Sequence, residues 1–246
     1  YYWDQDEATK DHWRKALDDA VNNTDYGIVV DTLWAGYGQN YEVLENLRGW
    51  DTFLMDLMTD KKLSQYMLDT RLEAVLKRWD MMLNIIENKP QVVCIGDDLG
   101  IQSGLQLPPE VYREMIKPVH KKFIDFIKAR TDAKIFLHSC GSVYEVIPDL
   151  VEIGLDILNP VQVFAANMDS RVLKKEFGQD LVFWGGIDTQ SVLPFGTEED
   201  VKEEVKRRID DFAPGGGFVF NTSHNIQLDV PVANLLAMFE AFETYA

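Results

Sequence analysis

Two side chains that bind soft metals, His138 and Cys140, stand two residues apart in the stretch K-I-F-L-H-S-C-G-S-V. An apolar run leads into them and a glycine follows. Residues i and i+2 of a strand point the same way, so the pair can share one target. Imidazole plus thiolate is a zinc-type donor set. His224, in N-T-S-H, falls just past another apolar run. Three protein ligands with a fourth position open make a catalytic rather than a structural zinc site. The C-x₂₋₄-C pairs of structural zinc are lacking. The competing reading is a chance H-x-C in which Cys140 is a small buried apolar residue.

Carboxylates and amides recur beside these residues. Asp97 and Asp98 end an apolar run in G-D-D-L-G-I-Q. Adjacent residues of an extended segment point to opposite sides. One acid can therefore face a cavity, as a metal ligand or general acid/base, while the other fixes the following loop. Gln102, Asn159, Gln162, Asp188, Gln190 and Gln227 are polar groups that could orient a substrate. Trp34 and Tyr37 could stack on an aromatic one, or belong to the core. His12 and His120 sit in helical patterns among charged residues and read as solvated or capping.

The elements that must position these groups alternate. Strand patterns fall at Gly27–Leu33, Val92–Leu99, Lys134–Cys140, Asp156–Val161, Leu181–Ile187 and Gly217–Ser223. Each is a nearly continuous apolar run that turns polar at its end, as strands of a doubly covered parallel sheet do. Helical patterns cover Asp60–Asn88, Glu110–Ala129, Glu145–Ile153, Arg171–Phe177, Glu198–Phe212 and Pro231–Tyr245. Thr197 is the expected N-cap of the helix that begins at Glu198. No G-x-G-x-x-G follows the first strand, which removes the dinucleotide signature. Polar residues at almost every strand end fit a single-domain (β/α)₈ TIM barrel over residues 1–246, whose strand ends converge on one mouth. Six strands are read where eight are needed; the other two are expected before Tyr1, or one has been missed.

Composition narrows the partners. A formal net charge of −17 repels nucleic acid and anionic membranes. Two cysteines give no disulfide framework and fit a reducing, cytoplasmic setting. No apolar run approaches the roughly 20 residues of a membrane span.

The motifs F-L-H-S-C-G-S-V, D-I-L-N-P-V-Q, F-W-G-G-I-D-T-Q-S-V-L-P-F-G-T, A-P-G-G-G-F-V-F and G-D-D-L-G-I-Q-S-G together resemble the uroporphyrinogen decarboxylase-like superfamily. The resemblance implies a (β/α)₈ barrel and one of two chemistries. One is metal-free decarboxylation of a porphyrinogen. The other is zinc-dependent methyl transfer to or from a corrinoid protein, as in coenzyme M methyltransferases and O-demethylases. The H-x-C-G element resembles the zinc motif of the methyltransferase branch, where a cysteine on the last strand is the third ligand. Its place here is taken by His224. The resemblance therefore implies zinc on His138, Cys140 and His224, a partner protein carrying the corrinoid, and a small methyl donor or acceptor (an ether, amine or thiol). It also admits a homodimer, as the decarboxylases commonly form. Decarboxylation would call for arginines at the mouth, and only Arg48 and Arg171 fall near loops. A non-catalytic ligand-binding relative would carry the same residues.

Overall fold

The computed structural model describes residues 5–31 and 40–246. Trp34 and Tyr37 lie outside the described residues. The chain divides into two compact units. The first takes Tyr1–Asp98, Leu107–Leu137 and Glu152–Leu155; the second takes Leu99–Gln106, His138–Val151 and Asp156–Ala246.

The strands in chain order are β1 (Val29–Asp31), β2 (Val92–Gly96), the hairpin β3 (Gly100–Ile101) and β4 (Gly104–Leu105), β5 (Lys134–His138), β6 (Ile157–Asn159), β7 (Val182–Ile187) and β8 (Phe218–Thr222). In the first unit β1 pairs parallel with β2, Val29 facing Val92 and Asp31 facing Cys94. The amide of Lys134, at the start of β5, donates to Gln91 O at 2.8 Å. In the second unit the chain leaving β5 runs beside β6, with Ser139 N on Asn159 O at 2.8 Å. β6 pairs parallel with β7, and β7 with β8 from Phe183–Phe218 to Ile187–Thr222. The α/β alternation expected from the sequence is thus present, and all six expected strands form. Among the described residues six strands make the main sheet, and a closed barrel of eight is not reached.

Each unit has its own core. In the first, the helix Lys61–Ile86 buries Leu68, Leu72, Val75 and Trp79, and Trp79 meets Phe123 edge-on at 5.5 Å. In the second, the helix Glu198–Phe212 packs Val201, Val205 and Ile209 against Ile187 and the C-terminal helix Val232–Tyr245. Thr197 forms the full capping box with Asp200, satisfying the first-turn amides as its sequence position suggested. No described helix is long and apolar enough to cross a membrane.

The first unit also buries acids. Glu45, on the helix Tyr41–Arg48, is 5% exposed. Burial, reinforced by Glu42 and the Asp97 and Asp98 carboxylates, pushes it up to about 7; Glu42 is raised to about 7 by burial, Asp98 and Asp97. Both groups hold a proton more tightly folded than unfolded. Their contribution is full below the ordinary glutamate range and is lost as pH climbs through about 7. Urea denaturation should therefore show stability falling from about pH 5.5 to about pH 8, and Glu45→Gln should make that fall smaller. An unchanged or steeper fall in the variant would refute the burial assignment.

Candidate metal centre

The centre is built where β5 ends. His138 is the last residue of β5 and Cys140 lies just beyond it, both partly buried. Cys140 Sγ stands 3.3 Å from His138 Nε2, and His138 Nδ1 stands 2.6 Å from Asn159 Oδ1. The alternation that puts i and i+2 on one side therefore brings imidazole and thiol together, as their spacing suggested.

The loops around the pair are knit by the main chain. Gly141 has φ +77°, and a Cβ there would lie 2.4 Å from the carbonyl carbon of Gly100. Only glycine lets the chain turn this tightly against the hairpin. The Gly141 amide donates to Gln162 Oε1 at 2.7 Å, and Gln102 Nε2 donates to the same oxygen at 2.8 Å. Ser142 N reaches Ile101 O at 2.9 Å, and Ala166 N reaches Gln102 O at 2.9 Å. Leu99 N donates to Ser139 Oγ at 3.0 Å, which ties the residue after Asp98 to the residue between His138 and Cys140.

The remaining expected residues are placed differently. His224 is exposed, and its ligand atom is not gathered with those of His138 and Cys140 within 4.8 Å. Gln190 and Gln227 are also exposed, and Gln227 Nε2 is engaged with Asn225 O at 3.1 Å. Asp188 is 1% exposed and accepts from the amides of Gln190, Ser191 and Val192 at 2.7, 3.2 and 3.0 Å. Its carboxylate is spent on starting the short helix Val192–Phe195. Cys94 is buried, and burial pushes its thiol up to about 12, so it acts as a small apolar residue.

In the first unit Asp97 is 2% exposed and fully engaged. It accepts from Asn40 N at 3.2 Å, from Glu42 N at 3.0 Å and from His120 Nε2 at 3.1 Å. It thereby fixes the start of the helix Tyr41–Arg48. His120 is 4% exposed, which corrects its reading as a solvated or capping residue. Lysines follow it directly, yet it lies on the buried stripe Ile116, Val119, Phe123, Ile127, and that helical spacing was the signal to heed. Asp98 is partly buried at the end of the same strand segment. Arg48 and Arg171 are both paired with acids, Asp56 at 2.8 Å and Asp211 at 2.7 Å.

Comparison with known proteins agrees with the motifs. Residues 43–245 match the uroporphyrinogen decarboxylase (URO-D) family, and the chain belongs to that family. It is 30% identical over 164 residues to the methylcobamide:CoM methyltransferase MtbA of Methanosarcina mazei, covering 65% of this chain and 44% of that protein. It is 26% identical over 194 residues to the uroporphyrinogen decarboxylase of Chlorobium phaeobacteroides, covering 76% of this chain and 51% of that protein. The chain thus spans about half the length of these curated relatives. Among solved structures, a methyltransferase from Methanosarcina mazei superposes with a TM-score of 0.71 at 21% identity, over 95% of this chain and 64% of that one.

The knit loops make a sharp contrast between two variants. Gly141→Ala forces a side chain into the Gly100 backbone at a positive φ and should cost roughly 3 kcal/mol or more. Gln162→Leu removes two hydrogen bonds, one of them from the buried Gly141 amide, without forcing the backbone apart, and should cost about 1–2 kcal/mol. Equal losses in denaturation midpoints would contradict the close approach at Gly141.

Proposed function

We propose that the protein moves a methyl group between a small substrate and a corrinoid carried by a partner protein, with zinc as its metal. The observation that carries this reading is the convergence of Cys140 Sγ and His138 Nε2 at a strand end, 3.3 Å apart. A soft sulfur and an imidazole nitrogen on one target suit zinc. His224, the third donor that the resemblance implies, is exposed. The methyltransferases among the relatives support the reading.

Bound zinc would supply Lewis acidity, lowering the pKa of a thiol acceptor or stabilising the oxyanion left by a methyl ether. The chain's own residues do the rest. His138 and Cys140 hold their donor atoms at fixed separation because β5 and the Gly141 turn fix their backbone. Gln162 has its oxygen committed to Gly141 and Gln102. Its Nε2 has no partner among the described residues and is the candidate donor to a substrate oxygen or sulfonate. The partner's corrinoid would supply the methyl group, and the acceptor would take it as a thiolate whose proton has already been lost to solvent.

A metal-free decarboxylase is the second reading, favoured by the family match and the decarboxylases among the relatives. It needs cationic side chains for a polycarboxylate. Arg48 and Arg171, the two that the sequence offered, each already hold a carboxylate.

The test uses methylcobalamin as donor and 2-mercaptoethanesulfonate as acceptor, with zinc content measured on the same preparations. The expected result is about one zinc per chain and zinc-dependent loss of methylcobalamin. Cys140→Ala should abolish both. Asn159→Ala should lower zinc affinity at least about 10-fold, whereas His224→Ala should leave it unchanged. Turnover of uroporphyrinogen by the metal-free protein would overturn the proposal.

A further inference from the structure

Asn159 was expected to orient a substrate, but both ends of its amide are already committed. Its Nδ2 donates to the carbonyl oxygen of Trp184 at 2.9 Å. A carbonyl only accepts, so the amide end facing Trp184 must be the NH₂. The opposite end is then the carbonyl Oδ1, which also only accepts. It lies 2.6 Å from His138 Nδ1. That ring nitrogen must therefore carry the hydrogen. In a neutral imidazole the other nitrogen, Nε2, is left with its lone pair, and Nε2 is the atom 3.3 Å from Cys140 Sγ. Asn159 itself is 6% exposed and sits at the end of β6, so its amide cannot turn without stranding a buried group.

We infer that Asn159 is a positioning residue that holds His138 in the Nδ1–H form and aims its Nε2 lone pair at the point Cys140 Sγ faces. The Trp184 main-chain carbonyl fixes the orientation of the Asn159 amide, and Nδ1 is the ring nitrogen that faces its oxygen. Histidines that bind metals commonly donate their second N–H to such a partner, which fixes the ring and raises the basicity of the ligating nitrogen. That Nε2 serves a metal rests on the methyltransferase reading; the tautomer does not. His120 supplies the opposite case in the same chain. Its Nε2 faces the Asp97 carboxylate at 3.1 Å, so there Nε2 carries the hydrogen. Asn159 is thus assigned to the imidazole, not to a substrate, and substitutions at it should act through His138.

The test is ¹⁵N NMR of the full chain labelled at histidine, metal-free, at about pH 8. Four histidines are present, and a His138→Gln spectrum assigns the signal of interest. His138 should show the Nδ1–H pattern and His120 the Nε2–H pattern. Asn159→Asp keeps an acceptor toward Nδ1 and should retain the pattern, although it loses the N–H donated to Trp184 O and sets an oxygen against that carbonyl; Asn159→Ala should shift His138 toward the Nε2–H form. Should the alanine variant fail to fold, the wild-type and aspartate spectra still decide. An Nε2–H pattern for wild-type His138, or an alanine variant with an unchanged pattern, would overturn the inference. Cobalt(II) then probes the ligand role: Asn159→Ala should weaken its binding about 10–100-fold, with Asn159→Asp close to wild type. Binding unaffected in Asn159→Ala would overturn the positioning role. An Nδ1–H wild type that binds no cobalt(II) would instead uphold the tautomer and sink the metal reading.

Discussion

The candidate site depends on one hydrogen bond, the 2.6 Å contact between His138 Nδ1 and Asn159 Oδ1. A histidine at a strand end can swing about two side-chain torsions. This contact removes that freedom and decides which nitrogen is left to do chemistry. It holds because Asn159 is anchored in turn on the Trp184 carbonyl. The geometry thus passes inward from β7 through β6 to the end of β5, each link made by a group that can play only one role. A rigid scaffold with its reacting groups at strand ends is the general solution of parallel α/β folds.

The loops obey a second constraint, close main-chain approach. Gly141 against Gly100 and Gly185 against Pro160 leave no room for a Cβ; at Gly185 it would lie 1.8 Å from the Pro160 oxygen. These contacts hold the strand-end loops close through the main chain alone. They also account for polar groups that serve structure. Gln162 binds the Gly141 amide, and Asp188 binds three amides of the following turn. Polar residues at strand ends therefore divide into those that face the centre and those that fasten the loops around it.

Much of this was legible in the sequence. All six strands were, because strands buried on both faces read as continuous apolar runs. The H-x-C spacing gave the pairing of His138 and Cys140 directly. The helix Glu7–Asn23 was not legible: it buries no residue, so no apolar stripe marks it. The roles of Asp188 and Asn159 were hidden because a strand-end amide or carboxylate looks the same whether it meets a ligand or a backbone amide. His120 was misjudged through its charged neighbours, whereas its helical register pointed inward. His224 follows a strand as its motif suggested, but position along the chain does not fix which way a loop turns, and the residue is exposed.

The central claim is that one sulfur and one imidazole nitrogen of this chain share a zinc ion. X-ray absorption at the zinc edge of the reconstituted protein measures those donors directly. A single sulfur scatterer at about 2.3 Å is expected together with nitrogen and oxygen donors at about 2.0 Å, the sulfur vanishing in Cys140→Ala. A shell of nitrogen and oxygen alone in the wild-type protein would contradict it.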